Sequence, residues 1–540
     1  NPFRPSAPDI DMDYADNRRD EMIEYAKQKY GAENVAQIGT FGTMMARGAV
    51  RDVARALAKD YAVGDRISKM IPMGSQGTPM TIDHAMELVP ELKEAYKKES
   101  DTKEIIDLAK KLEGCVRHIS VHAAGVVIAP RPIYEYSPIQ LDPKGGKIIT
   151  QYDMYSVDEN GAGLLKFDFL GIRNLSILGD AIRLVKKFYD IDIDIEHIPL
   201  DDKITFKLLT DGQTEGLFQL NGAGMTRYLK ELKPSSIHDI NAMVALYRPG
   251  PMESIPEYIK RKHNPRLVKY LDPRMKKFLS ESYGLIVYQD DLLFCAIELA
   301  GYDWKEADKF RKAVGKKIPA EMAAQYEKFT EGVVKNGQTK IFAEKLWKLF
   351  EPFQAYGFNK AHAASYGKVA YQTAYMKATY PVEYMTAILT AESGNVEKIA
   401  EIIAECKNMK IAVLPPNINE SFGGFTCLGV KQLETVNTEN KSDKIRFGLY
   451  TIKNLGKDIA DAIIEERKKN GKFKSVTDFL DRIKHKNLNK KSMEALIKSG
   501  SVDDFGERGV LLYNLEDMLL YNHEASTQNK NQTSLFGGTT

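Results

Sequence analysis

The chain has little cysteine and tryptophan, with four Cys and two Trp in 540 residues. The cysteines, Cys115, Cys295, Cys406 and Cys427, form no C-x-x-C pair, and their spacing fits neither a zinc site nor a disulfide framework. Four buried, reduced thiols in a cytoplasmic protein are therefore expected. No apolar run approaches the roughly 20 residues that span a bilayer, so no membrane association is expected. The opening Asn1-Pro2-Phe3-Arg4 has neither an initiator Met nor a basic region followed by an apolar stretch. A secretory signal is not expected there, and the chain reads as a fragment or processed product. An excess of one charge sign is missing too: 76 Lys and Arg face 74 Asp and Glu, for a net charge of +2. That balance decides little, because a nucleic-acid partner shows as local basic clusters. Solenoid-type repeats are absent.

What is present is a soluble globular composition, 43% hydrophobic and 28% charged, long enough for about three to five domains. Two basic clusters stand out. One runs from Lys305 to Lys317 and includes Lys309, Arg311, Lys312 and Lys316; the other runs from Arg467 to Lys491. Helices are expected over 17–30, 44–70 (with Arg47, Arg51 and Arg55 on one face) and 103–114. Strands are expected over 8–13, Gly125–Ala129 and Leu164–Leu170. The pattern from 174 to 410 is mostly helical, and short helices follow over 446–510. Pro415-Pro416 and Gly423-Gly424 suggest a boundary. The last stretch, about 525–540, is polar and reads as a tail or linker.

Pro8-Asp9-Ile10-Asp11-Met12-Asp13 alternates acid and apolar residues at the period of a strand, which places Asp9, Asp11 and Asp13 on one face. Like charges so arranged repel unless a cation lies between them. The spacing suits a pair of divalent ions for phosphoryl or nucleotidyl transfer, with a further carboxylate supplied from elsewhere. A solvent-facing strand is the plainer alternative. Asp192, Asp194 and Glu196 alternate in the same way, and a surface strand is expected there. A calcium loop fits the first run poorly, because Tyr14 stands at the sharp-turn glycine position and Asp20 at that of the bidentate glutamate. In Lys166-Phe167-Asp168-Phe169-Leu170-Gly171, a lysine and an aspartate two apart face one way, a pairing able to serve a triphosphate and a metal together. Small residues in Ser120-Val121-His122-Ala123-Ala124-Gly125 would let the backbone approach a ligand.

These segments resemble the bacterial C-family replicative DNA polymerases, the family of DNA polymerase III alpha subunits. The likeness rests on Pro8–Asp13, Gly39–Thr43, His122–Ala129 and Lys166–Gly171. It continues in Tyr247-Arg248-Pro249-Gly250-Pro251, Ala313–Lys317 and Tyr356-Gly357-Phe358-Asn359-Lys360-Ala361-His362, in order over about 1–537. It implies an α+β, mostly helical fold: a partial polymerase-beta-like palm sheet with a helical thumb, large helical fingers and a helix-hairpin-helix, clamp-binding domain. The implied domains are palm 1–40, thumb 41–119, palm 120–173, fingers 174–430, helix-hairpin-helix 431–525 and a tail 526–540 with a clamp-binding peptide. The family's N-terminal PHP and early palm regions, and its C-terminal OB and tau-binding regions, would lie outside this chain.

The implied activity is two-metal transfer of a nucleotide from dNTP to a primer 3′ hydroxyl by the catalytic alpha subunit of a cytoplasmic bacterial replicase. Asp9, Asp11 and Asp168 would hold two Mg²⁺ ions. Lys166, Arg311 and Lys312 would bind the nucleotide triphosphate, and Arg4 is a lesser candidate. Ile452–Ile463 resembles a helix-hairpin-helix, in which Gly456 opens a helix whose N–H groups bind a DNA phosphate, helped by Lys453 and Lys457. Gln532-Thr533-Ser534-Leu535-Phe536 resembles a sliding-clamp peptide, with Gln532, Ser534, Leu535 and Phe536 as its contacts. Implied partners are primer–template DNA, dNTPs, the clamp and other holoenzyme subunits. Tyr288-Gln289-Asp290-Asp291 departs from the usual family pattern and is given no role. Rival readings are a non-catalytic DNA- and clamp-binding scaffold and a metal-dependent nuclease.

Overall fold

The structure, a computed structural model, describes residues 8, 10–74, 79–159, 161–316, 319–350, 357–428 and 444–528. Two compact units divide between Ile172 and Arg173.

The first unit is built on a six-stranded sheet of β1 (Ile10–Ala15), β2 (Val35–Thr43), β3 (Val116–Ile128), β4 (Ile139–Leu141), β5 (Ile148–Thr150) and β6 (Lys166–Ile172), in the order β1-β6-β3-β2-β5-β4. Alternation in β1 sorts its faces: Ile10, Met12 and Tyr14 are partly buried, whereas Asp11 and Asp13 are exposed. Met12 and Tyr14 join Ile23, Ala26, Val126 and Phe169 in one apolar cluster, so the helix Arg19–Tyr30 covers that face. Arg19, at the start of this helix, reaches three strands. It donates to the Phe169 carbonyl at 2.6 Å, and to Gln37 Oε1 and the Ala124 carbonyl at 3.4 Å each. The opposite face is covered at its β2–β3 end by Ile133, Val157 and Leu164, packed on Ala36, Ile38 and Val127.

Between β2 and β3 the chain folds into helices Ala46–Ala56, Tyr61–Met70, Ile82–Leu88, Pro90–Lys98 and Ser100–Leu112 around a separate core that includes Val50, Ile67, Ile82, Leu92 and Ile105. The expected single helical stretch 44–70 is two helices. Ala58 takes a left-handed φ of 54°, and Asp60 caps the second helix by accepting the Ala62 N–H. Arg47 and Arg51 pin the two together, on the Ile71 carbonyl (2.6 Å) and on Asp65 (3.0 Å). The strand expected over Gly125–Ala129 is the end of a 13-residue strand.

The second unit is mostly helical. The 20-residue helix Lys360–Thr379 runs among helices that include Lys203–Asp211 and Ile237–Leu246. Helices Gln289–Ala300, Trp304–Lys316, Pro319–Lys335 and Lys340–Lys348 close around Phe310, Phe329, Trp347 and Phe350. A three-stranded sheet of β7 (Ala412–Leu414), β8 (Thr426–Leu428) and β9 (Lys444–Arg446) follows, in the order β7-β9-β8. Helices Lys457–Asn470, Val476–Arg482, Lys490–Lys498, Arg508–Tyr513 and Leu515–Gln528 then share a core with Ile459, Phe479, Leu496 and Leu515. The fold is α+β and mostly helical.

Two further expectations are corrected. Asp192-Ile193-Asp194-Ile195-Glu196 is not a strand but an exposed segment entering the 3-10 turn Ile195–His197. Its acids are used locally: Asp192 pairs with Lys186 (2.7 Å), and Asp194 accepts the Glu196 N–H (3.1 Å) and binds His197 Nδ1 (2.7 Å). A strand needs a neighbour to fill its hydrogen bonds, and local side-chain bonds compete with that pairing. Of the four cysteines only Cys295, Cys406 and Cys427 are buried; Cys115 is exposed in the turn between helix Ser100–Leu112 and β3. All four are free thiols.

Candidate active site

Parallel pairing of β1 with β6 sets Asp11 directly beside Asp168. Neighbouring strands lie about 4.8 Å apart, and residues in register point to the same face, so the two carboxylates are side by side. Gly125 on β3 pairs with Asp168 from the other side and completes a row across three strands. A larger residue at Gly125 would force its neighbours to shift, because a Cβ would stand 2.8 Å from Ile38 Cδ1 and 2.9 Å from His122 Nδ1. His122 Nδ1 accepts the N–H groups of Gly125 (2.7 Å) and Ala124 (3.3 Å), so the small-residue stretch forms a tight bulge next to the carboxylates.

Lys166, two residues before Asp168 on the same face, places Nζ 3.0 Å from Asp168 Oδ2. The other carboxylate oxygen, Oδ1, is buried and has no hydrogen-bond partner among the described residues. A buried carboxylate oxygen without a donor costs about 1–3 kcal/mol or more, and a bound cation would satisfy it. The donor set, all carboxylate oxygen, suits a hard divalent cation. Asp9 lies outside the described residues, as does Arg4. Among the described residues no group of three or more His, Cys, Asp or Glu side chains is arranged to hold a metal ion; Asp11 and Asp168 are two carboxylates of the expected three.

In the second unit, Arg311 and Lys312 lie on helix Trp304–Lys316 and converge on Asp308. Arg311 binds its Oδ1 through Nη2 (2.8 Å) and Nε (3.2 Å), and Lys312 Nζ lies 3.2 Å from Oδ2. Burial pushes the Asp308 carboxyl up, but these two cations outweigh it and bring it below its ordinary range. Arg311 Nη1 also donates to Gln289 Oε1 at 3.0 Å. Sequence reasoning gave Gln289 no role, and its partners lie too far along the chain for any local pattern to mark it.

Gly456 is the N-cap of helix Lys457–Asn470, entered through Asn454 at a left-handed φ of 71°. A Cβ at Gly456 would meet nothing within 4 Å, so the first helical N–H groups open to the surface. Lys453 and Lys457 flank them and are exposed, and Lys457 Nζ lies 5.5 Å from the Tyr450 ring centroid. The peptide with Gln532, Ser534, Leu535 and Phe536 lies outside the described residues, as does Lys317 of the first basic cluster. No helix among the described residues is long and apolar enough to cross a membrane.

Residues 1–171 match the family profile of the bacterial DNA polymerase III alpha NTPase domain, 174–337 that of the bacterial DNA polymerase III alpha subunit finger domain, and 410–510 a helix-hairpin-helix motif. The chain is 43% identical to DNA polymerase III subunit alpha of Thermus aquaticus over 99% of this chain and 43% of that protein. It is 43% identical to the Deinococcus radiodurans protein of the same name over 96% of this chain and 38% of that one. With the Escherichia coli protein the identity is 40% over 99% of this chain and 46% of that one. The chain thus spans less than half the length of these curated relatives. With these three profiles matched in order and relatives 40–43% identical over nearly the whole chain, the chain belongs to the family of bacterial DNA polymerase III alpha subunits.

Proposed function

We propose that this chain is the catalytic core of a DNA-directed DNA polymerase, the alpha subunit of a bacterial cytoplasmic replicase. In the reaction the primer 3′ hydroxyl attacks the α-phosphorus of a dNTP, and the bond to pyrophosphate breaks. The observation that carries the reading is the in-register pairing of Asp11 with Asp168, with Lys166 on the same face and one Asp168 oxygen left without a donor among the described residues. Asp9, Asp11 and Asp168 are the residues that would hold divalent ions, two Mg²⁺ in this reading. When bound, such ions supply Lewis acidity to the attacking hydroxyl and to the departing pyrophosphate.

The chain's own side chains do the rest. Lys166 sits beside the carboxylates, where a phosphate oxygen can replace Asp168 as its partner. Arg311 offers a planar fork to triphosphate oxygens, and Lys312 adds a point charge. Gly456 and the following backbone N–H groups hold a duplex phosphate without reading sequence, with Lys453 and Lys457 alongside. Gln532, Ser534, Leu535 and Phe536 form the peptide that seats in a sliding clamp, and the remaining holoenzyme subunits complete the assembly.

Primer extension with Mg²⁺ and dNTPs tests the reading. The Asp11→Asn variant is expected to lose nucleotide incorporation while retaining duplex binding. Equal incorporation by variant and parent would sink the assignment; degradation of the primer would point to a nuclease, and binding of duplex and clamp without extension to a scaffold.

A further inference from the structure

Arg311 is held at two points that differ in kind. Asp308 lies on its own helix, three residues earlier, and ties the guanidinium only to that helix. Gln289 opens a different helix, Gln289–Ala300, and its amide works in both directions. Oε1 accepts from Arg311 Nη1 at 3.0 Å, and Nε2 donates to the Gly357 carbonyl. A primary amide can accept from a guanidinium through its oxygen and donate to a carbonyl through its nitrogen at the same time; an ionised carboxylate has no donor and a thioether has none either.

The segment on the far side is fastened at further points. The Gln289 N–H donates to the Phe358 carbonyl at 2.9 Å, within a bridge between Tyr288 and Phe358. Asp290 Oδ2 accepts the Lys360 N–H at 2.9 Å. The approach is close: a Cβ on Gly357 would stand 2.6 Å from Gln289 Cγ. The run 288–291, which the proposed chemistry leaves unused, thus joins a phosphate-binding candidate to the start of helix Lys360–Thr379.

We propose that Gln289 is a positioning residue, whose amide fixes the Arg311 guanidinium against the Gly357–Lys360 segment and so presents it to the triphosphate in one orientation. The inference rests on the polymerase reading of Arg311. Orientation matters because a misplaced binding group costs rate or affinity out of proportion to the distance moved.

The test uses this chain on a primer–template, with single-nucleotide incorporation followed by rapid quench. Gln289→Met keeps the side-chain length and removes both hydrogen bonds. It is expected to raise the apparent Kd for dNTP about tenfold while the maximal rate changes less than threefold, as misorienting a binding group does. In an Arg311→Ala background the same substitution is expected to change the Kd less than twofold, because the group it positions is gone. A Kd unchanged by Gln289→Met, or effects of the two substitutions that multiply, would overturn the proposal, since a merely structural role gives independent losses. Hydrogen exchange supplies an arm that needs no activity: the peptide 357–362 should exchange about tenfold faster in Gln289→Met than in the parent, and equal exchange would defeat the positioning role. A parent that neither extends primer nor binds dNTP would defeat the polymerase reading instead, and the exchange arm would still decide the part Gln289 plays.

Discussion

Asp291 is 1% exposed, and its Oδ2 accepts the N–H groups of Val287 and Tyr288, both at 2.8 Å. Burial is the dominant influence and lifts the carboxyl to about 7, although the two backbone N–H groups pull the other way. The sign of the resulting pH dependence follows from proton counts. Below 3.8, the value for a free aspartate, both folded and unfolded chains are protonated here. Between 3.8 and about 7 the unfolded chain is ionised while the folded one keeps its proton, so stability falls as pH rises. Above about 7 the loss is complete. Each pH unit in that window corresponds to about 1.4 kcal/mol, so between pH 5.5 and 8 the residue costs about 2 kcal/mol. Asp291→Asn keeps an acceptor for both N–H groups and removes the titration. Its unfolding midpoint is expected to vary less between pH 5.5 and 8 than that of the parent, measured by thermal denaturation. Parallel pH profiles would show that Asp291 does not titrate in this range.

At the scale of the element, the helix Ile237–Leu246 shows how one buried acid organises several segments. Its N-terminus is a capping box: Ser236 Oγ accepts the Asp239 N–H, and Asp239 Oδ2 accepts the Ser236 N–H. Asp239 is fully buried. It also receives Lys262 Nζ and the hydroxyls of Tyr258 (3.2 Å) and Tyr283 (3.0 Å). Burial, with Asp239 close by, pushes the Tyr258 hydroxyl well above its ordinary value, so it stays protonated and donates. Asp239→Ala would remove the counter-charge of the Lys262 ammonium, whose side chain is only 8% exposed, and leave it the Ser235 hydroxyl (2.9 Å) as an uncharged partner. Breaking a buried pair from one side costs about 3–5 kcal/mol, whereas loss of the cap in Ser236→Ala should cost about 1 kcal/mol. Urea denaturation should rank the two variants in that order, and a cost for Asp239→Ala no larger than for Ser236→Ala would show that the Ser235 hydroxyl and solvent suffice for Lys262.

The same contrast between local and distant partners explains what was legible in the sequence. The alternation of β1 could be read because a strand's two faces are set by residues two apart. Yet Asp192, Asp194 and Glu196 carry the same period and form no strand, because pairing depends on a neighbour that the period does not encode. Helix positions were broadly legible, but the break at Ala58 to Asp60 depends on a left-handed residue and a cap rather than on hydrophobic spacing. The pairing of Asp11 with Asp168 joins segments far apart in the chain, and only the family resemblance anticipated it. Gln289 stayed hidden for a related reason: its side-chain partners lie 22 and 68 residues away. Cys115 was misplaced because a cysteine's burial depends on the turn that carries it.

At the scale of the whole molecule, the proposed chemistry and the proposed duplex binding would draw on separate cores. The carboxylate pair belongs to the unit ending at Ile172. The helix-hairpin-helix elements, by contrast, pack around their own cluster, which runs from Ile418 through Ile459 and Leu496 to Met518. Separate cores imply separable losses. Removing Lys453 and Lys457 leaves that cluster intact, because both side chains are exposed. The double variant Lys453→Ala, Lys457→Ala is therefore expected to fold as the parent does and to bind duplex DNA more weakly. The physical signature is ionic: each phosphate that the protein no longer neutralises lowers the slope of log affinity against log salt by about 0.9. A reduction of about one to two in that slope is expected from fluorescence anisotropy over a KCl series, equal for unrelated duplex sequences because phosphate binding carries no base information. Asp11→Asn, in the other unit, should leave the slope unchanged while abolishing incorporation. If the double lysine variant bound with the parent's affinity and slope, duplex DNA would have to be held elsewhere on the chain, and the hairpin around Gly456 would be an ordinary helix entrance.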